Sequence, residues 1–157
     1  MDTITSLALS IDSPILKAVG AVLDNALAYG LMILALIFIG EKRDGKRSKI
    51  IISIILAVFL ASAIKFAIAR DRPCAGMEWC PESYSFPSMH AAVAFALMTG
   101  FLNKKSYPAY ALFALFVCFT RINLGVHIFV DIAGALPVAL ISYYLTDMLY
   151  KEGEDGS

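Results

Sequence analysis

The segment Ile50 to Ala69 constrains this chain more than any other. It runs twenty residues with Lys65 as its one charge. As a helix it spans about 30 Å, the thickness of a bilayer's hydrocarbon core. A helix also satisfies its own backbone polar groups, which lipid cannot do. Four further apolar stretches follow the same pattern: Asn25 to Gly40, Pro87 to Leu102, Tyr107 to Leu124 and Val126 to Leu149. Pro137 lies inside the last and predicts a kink. Small residues (Ala61, Ser62, Ala63, Ala91, Ala92, Ala94, Gly134, Ala135) recur through these stretches and allow close helix approach. The composition agrees: 59% of the 157 residues are hydrophobic, 17% are charged, and the mean hydropathy is +0.74. The expected fold is therefore all-α, a multi-pass transmembrane helical bundle of about five spans plus an N-terminal interfacial helix. Residues 1–150 are expected to form a single membrane-embedded domain, with 1–24 as the interfacial segment. Residues 151–157 read as a polar cytoplasmic tail, frayed at its end.

The N-terminal stretch Ile4 to Leu23 is apolar enough to make a sixth span. In that arrangement Asp12, Ser13, Pro14 and Lys17 would lie near mid-membrane, at a few kcal/mol for each charge. Ser13-Pro14 also reads as a helix start. One or two short amphipathic helices at the interface are the preferred reading. No basic n-region or small-residue cleavage site precedes them, so no signal peptide is expected. The net charge of +0 gives no reason to expect nucleic acid as a partner. The sequence sets no oligomeric state.

Loop charge predicts orientation. Lys42, Arg43, Lys46, Arg47 and Lys49 crowd one loop, and Lys104 and Lys105 another. Span parity puts both on the same side as Lys151, and the positive-inside rule makes that side cytoplasmic. The loop from Arg70 to Phe86 and the turn near Gly125 then face outward, in a cell membrane.

Three segments converge on the outer side. In "KFAIARDRP", Lys65 and Arg72 are seven residues apart, two helical turns, and share a face if the helix continues. Each alone reads better as a snorkelling cation at a helix end. In "SFPSMHAAVAF", Pro87 suits a first helical position, Ser88 supplies a hydroxyl, and His90 lies in the first turn. Free N–H groups and the helix dipole there make an anion site. In "TRINLGVHIFVD", Arg121 ends an apolar run and Gly125 permits a turn. His127 and Asp131 are four apart, one turn on the same helix face. Each histidine alone could be a satisfied structural group. Together the case changes, because the chain has only two histidines and both fall here. Lys65, Arg72, Arg121 and Asp131 each cost about 2.5–3.5 kcal/mol at mid-membrane, less near a helix end. Three cations, a hydroxyl and a helix N-terminus suit a tetrahedral oxyanion, and two histidines suit a nucleophile and an acid. The pattern reads as a phosphate-ester site.

These segments resemble the signature of the type 2 phosphatidic acid phosphatase family, integral membrane lipid phosphatases with a haloperoxidase-like active site. Lys65, Arg72 and Pro73 match its first motif, K-x6-R-P. Pro87, Ser88, Met89 and His90 match P-S-G-H. Thr120, Arg121, His127 and Asp131 match S-R-x5-H-x3-D. Two positions depart. Met89 stands where the family has Gly, and at a position with positive φ a Met would be strained. Thr120 replaces Ser and keeps the hydroxyl.

The resemblance implies a hydrolase acting on phosphoric ester or diphosphate bonds. His127 would form a phosphohistidine, Asp131 would orient it, and His90 would protonate the leaving group. Lys65, Arg72, Ser88, the Met89 amide and Arg121 would hold the phosphoryl oxygens. No metal and no other cofactor is implied. The expected partners are a lipid phosphate or diphosphate substrate and the surrounding membrane lipids. Polyprenyl diphosphate is favoured over phosphatidylglycerol phosphate or phosphatidate. A phosphatase for soluble esters and a non-catalytic binder of anionic lipid are the competing readings.

Outside these motifs, Cys74 and Cys80 bracket five residues on the outer side, where a disulfide is expected and two free thiols are the alternative. A zinc site would lack two ligands. Cys118 lies inside a span and reads as a packing residue.

Overall fold

The computed structural model describes the backbone of residues 2–155 and the side chains of residues 2–151. Among the described residues seven helices follow one another: α1 (Thr3–Ser10), α2 (Pro14–Asp24), α3 (Ala26–Gly40), α4 (Asp44–Ile68), α5 (Met89–Gly100), α6 (Tyr107–Asn123) and α7 (Phe129–Asp155). The described residues form no strand. Two helices, α4 and α7, are long and apolar enough to cross a membrane by themselves. Helices α3 and α5 are apolar but shorter. The chain is thus a membrane protein whose described regular structure is all helical.

The N-terminal stretch makes two helices, not one, and they are bent by 111° to each other. Local chemistry explains the break. Asp2 caps α1 by accepting from the Thr5 amide at 2.8 Å. Ser13 caps α2 in front of Pro14, which has no N–H to offer a preceding turn. Asn25 separates α2 from α3 and caps the latter by accepting from the Ala28 amide at 3.0 Å. At the other end of the chain, α7 continues through the polar tail as far as Asp155. Residues 156–157, part of the tail expected to fray, lie outside the described residues.

Helix α5 is the central strut. It packs against α4, α6 and α7, and more lightly against α3. Ala91, Ala92, Ala94 and Ala96 are fully buried along it. Methyl-sized side chains let four neighbours approach one helix. Helix α4 offers a matching inward stripe of Ile50, Ser53, Ala57, Ala61 and Lys65. That three-then-four spacing keeps one face toward the core and carries Lys65 onto it. The outward faces bear Phe59, Phe66, Leu112 and Leu115, each well exposed. Apolar groups outside and small or polar groups inside are the arrangement lipid favours.

The basic loops gather at one end of the bundle. Glu41, with a 2% exposed side chain, pairs with Lys104 at 2.8 Å and with Arg43 at 3.2 Å. Asp147 pairs with Lys49 and with Lys151. The other end carries the converging polar residues.

Candidate active site

Three connections build the site, and each departs in one respect from the sequence expectation. Helix α4 does not continue to Arg72. It stops at Ile68, and Ala69 turns left-handed (φ 49) as its cap, donating its amide to the Lys65 carbonyl at 2.9 Å. Arg72 therefore reaches the site from the loop, not from the helix face it was expected to share with Lys65. Ser83 holds it there. Its carbonyl accepts from Arg72 Nε at 2.7 Å and its hydroxyl accepts from Nη2 at 2.8 Å. A disulfide between Cys74 and Cys80 closes the intervening loop, with Cα atoms 5.6 Å apart. Lys65 is buried and donates to the carbonyls of Tyr84 and Ser85.

The second connection starts α5. Ser88 occupies the cap position, but its hydroxyl makes no capping bond and is buried without a protein partner. Its amide is spent on the Asp131 carbonyl at 3.0 Å. Met89 opens the helix with a negative φ, since Ala69 is the one described non-glycine residue at positive φ. The strain anticipated for a side chain at this position is absent. Tyr29 of α3 fixes His90 by donating its hydroxyl to the His90 carbonyl at 2.9 Å, with the rings 4.9 Å apart.

The third connection carries His127. The Gly125 turn has φ 71, and α7 begins only at Phe129, so His127 precedes the helix instead of sharing it with Asp131. The cause lies in the first-turn amides. Asp131 Oδ2 accepts from the Ile128 amide at 3.0 Å, and Thr5 of α1 accepts from the Phe129 amide at 2.9 Å. The same Asp131 oxygen still lies 3.4 Å from His127 Nδ1. On the other side of the ring, His127 Nε2 faces Arg72 Nη1 at 3.4 Å.

Lys65, Arg72, Met89, His90, Arg121 and His127 line one cavity of about 660 Å³. Asp131 stands behind His127, and the Ser88 hydroxyl is buried and does not line the cavity. Burial and the nearby Arg121 hold the Arg72 pKa below its ordinary value, against the pull of Asp24 and Asp131. Such crowding of like charge leaves an anion-shaped deficit. Two nitrogens of the buried Arg121, Nε and Nη1, have no protein partner, which adds to it. Chemically, this cavity can neutralise a phosphoryl group while an oriented imidazole faces it.

Four contributors escaped the sequence reading. Asp24 accepts from Arg121 Nη2 at 2.6 Å. Arg70 lies 3.6 Å from Asp131 Oδ1. Ser83 and Tyr29 act as described. None has a periodic or motif signal, and Asp24 lies 97 residues from its partner.

A second cavity of about 500 Å³ runs between α3 and α4. Leu27, Ile33, Ile37, Ile51 and Ile55 are among its walls, and Met89 and His90 line it as well as the first.

The fold is similar to that of LpxE from Aquifex aeolicus, with a TM-score of 0.72 and 25% identity over 91% of this chain and 92% of that one. It is also similar to a transmembrane PAP2-type phosphatidylglycerolphosphate phosphatase from Bacillus subtilis, with a TM-score of 0.67 and 21% identity. That match covers 95% of this chain and 83% of the other. No curated protein matches the sequence significantly. The PAP2 superfamily matches residues 48–152, which contain all three motif segments. Taken with the shared fold, that match shows that the chain belongs to the PAP2 superfamily, the type 2 phosphatidic acid phosphatases.

Proposed function

We propose that the protein is a membrane lipid phosphatase that needs no metal and works through a phosphohistidine. The observation that carries this reading is the junction of the two cavities at Met89 and His90. A phosphate among the cations would have its hydrocarbon chain beside an apolar groove. A soluble ester would leave that groove unused, so lipid is favoured over soluble substrates. The oriented His127–Asp131 pair speaks against a purely binding role.

In the proposed reaction, His127 Nε2 attacks phosphorus as the bond to the leaving oxygen breaks. His90 gives that oxygen its proton. His90 then takes a proton from water, which attacks phosphorus, breaks the P–N bond and frees phosphate. Lys65, Arg72 and Arg121 stabilise the charge in both steps, with the Met89 amide as a further donor; the Ser88 hydroxyl, which does not line the cavity, would have to turn toward it to join them.

Polyprenyl diphosphate is the favoured substrate, because one slender chain suits a groove bounded by two helices. The Bacillus subtilis neighbour keeps phosphatidylglycerol phosphate as the second candidate. Helices α3 to α7 would make five spans, with α1 and α2 at the outer interface and the site facing away from the cytoplasm. Phosphate release from a panel of purified lipid phosphates and diphosphates tests the assignment. Faster release from polyprenyl diphosphate supports it, and release from soluble esters alone overturns it.

A further inference from the structure

Helix α1 lies outside residues 48–152, which match the family, yet it holds both ends of the segment that carries His127. At one end, Asn123 closes α6 and donates its side-chain amide to the Ala8 and Ile11 carbonyls, each at 2.8 Å. The last carbonyls of a helix lack intrahelical donors, and Asn123 supplies one to α1. At the other end, the Thr5 hydroxyl accepts from the Phe129 amide at 2.9 Å. Between them, the Leu9 side chain lies beside the Gly125 turn, 3.8 Å from where a Cβ would stand.

Thr5 supplies a cap that the local sequence lacks. The first amides of a helix have no intrahelical acceptor, and a polar side chain just before the helix usually provides one. Ile128 precedes α7 and has no side-chain acceptor to offer. Asp131 reaches back to the Ile128 amide at 3.0 Å, and Thr5 takes the next amide from a different helix. The Thr5 hydroxyl is also aimed. It donates its own proton to Asp2 Oδ2 at 2.7 Å, which leaves its lone pairs for Phe129. Thr5 is 1% exposed, so loss of the hydroxyl would leave the Phe129 amide without its acceptor at a buried contact. The backbone two residues after His127 would then have to shift to find another.

We propose that Thr5 is a positioning residue for the nucleophile: from α1 it fixes the backbone at Phe129 and so keeps His127 Nε2 in line with phosphorus. Asp131 sets the ring and the first amide after it, and Thr5 sets the second. The side chain of Thr5 bonds to Asp2 and Phe129 and to none of the three cations, so its effect is separable from phosphate binding. This rests on the phosphatase reading above, in which His127 takes the phosphoryl group.

The test separates attack from binding. Thr5→Val keeps the shape and removes the hydroxyl, whereas Thr5→Ser keeps the hydroxyl. Rapid-quench formation of labelled phosphohistidine, from the ³²P-labelled lipid phosphate that the panel shows to be fastest, reads the attack. Inorganic phosphate as a competitive inhibitor reads the cations. In folded Thr5→Val the label should form at least about tenfold more slowly, since small misplacements of a reacting group cost that much or more. Its Ki for phosphate should stay close to the wild-type value, and Thr5→Ser should recover most of the rate. Should Thr5→Val fail to fold, Asp2→Ala takes its place. There the hydroxyl remains but is no longer aimed, and a smaller loss with unchanged phosphate Ki is expected. Label formation at the wild-type rate, a Thr5→Ser protein as slow as Thr5→Val, or a phosphate Ki that rises in step with the loss overturns this assignment and leaves the phosphatase reading intact. Wild-type protein that turns over without label on His127 overturns the phosphohistidine reading and this assignment with it.

Discussion

Asp131 Oδ2 lies 3.4 Å from His127 Nδ1 and also accepts the Ile128 amide at 3.0 Å, so one oxygen fixes both the ring and the backbone that carries it. The carboxylate is completely buried, and Arg70 lies 3.6 Å from its other oxygen. This holds Nδ1 toward Asp131 and turns Nε2 to the cavity. Asp131→Asn keeps the shape and loses the charge. Its kcat should fall by at least about 10²-fold, the lower end for groups acting in proton transfer, with KM little changed. Steady-state kinetics of the folded variant check this.

Gly30 lies on the α3 wall of the groove between α3 and α4. A Cβ added at Gly30 meets nothing within 4 Å. Gly30→Phe should therefore fill the groove without displacing the helices. Turnover of long-chain lipid phosphates should drop about tenfold or more, while short-chain analogues keep their rate. Equal rates across chain length would show that the groove holds no substrate chain.

Charge stabilisation by Lys65, Arg72 and Arg121 predicts indifference to chelation. EDTA should leave the rate within about twofold, with or without later magnesium. Vanadate should inhibit, since its five-coordinate form gains from the donors that hold the transition state. The readout is turnover of one lipid phosphate under the three conditions.

Glu41 gives a pH-dependent contribution at the opposite end of the bundle. Burial raises its pKa, but hydrogen bonds from Lys104 and Arg43 lower it more, to about 2. An unfolded glutamate titrates near about 4.3. The folded value is the lower one, so the stabilisation is complete above the unfolded pKa and is lost as pH falls through the folded value. The difference in melting temperature between wild type and Glu41→Gln should be full at pH 6 and narrow steadily below about pH 4.

Much of this was legible in the chain. Lys65, Arg121 and Asp131 are charges in apolar runs, and such charges stand out because lipid makes them costly. The two histidines stood at recognisable spacings. The local paths were harder to read. Nothing in "ARDRP" announces that Ala69 turns left-handed, so Arg72 was expected on a helix that ends before it. The start of α7 is capped by Thr5, 124 residues away, a contact that no local pattern around His127 announces. Asp24 was hidden for a similar reason. A single acidic residue between two apolar helices looks like an interfacial charge until its distant arginine is seen.

The central claim is that His127 takes the phosphoryl group, and trapping that intermediate tests it most directly. Protein turning over a ³²P-labelled lipid phosphate is quenched in alkali within milliseconds and separated from substrate. The account predicts a protein-bound label that survives alkali, is lost in acid, maps to His127 and is absent from His127→Ala. A His127→Ala protein that turns over at the wild-type rate, or a label that maps to another residue, would contradict it.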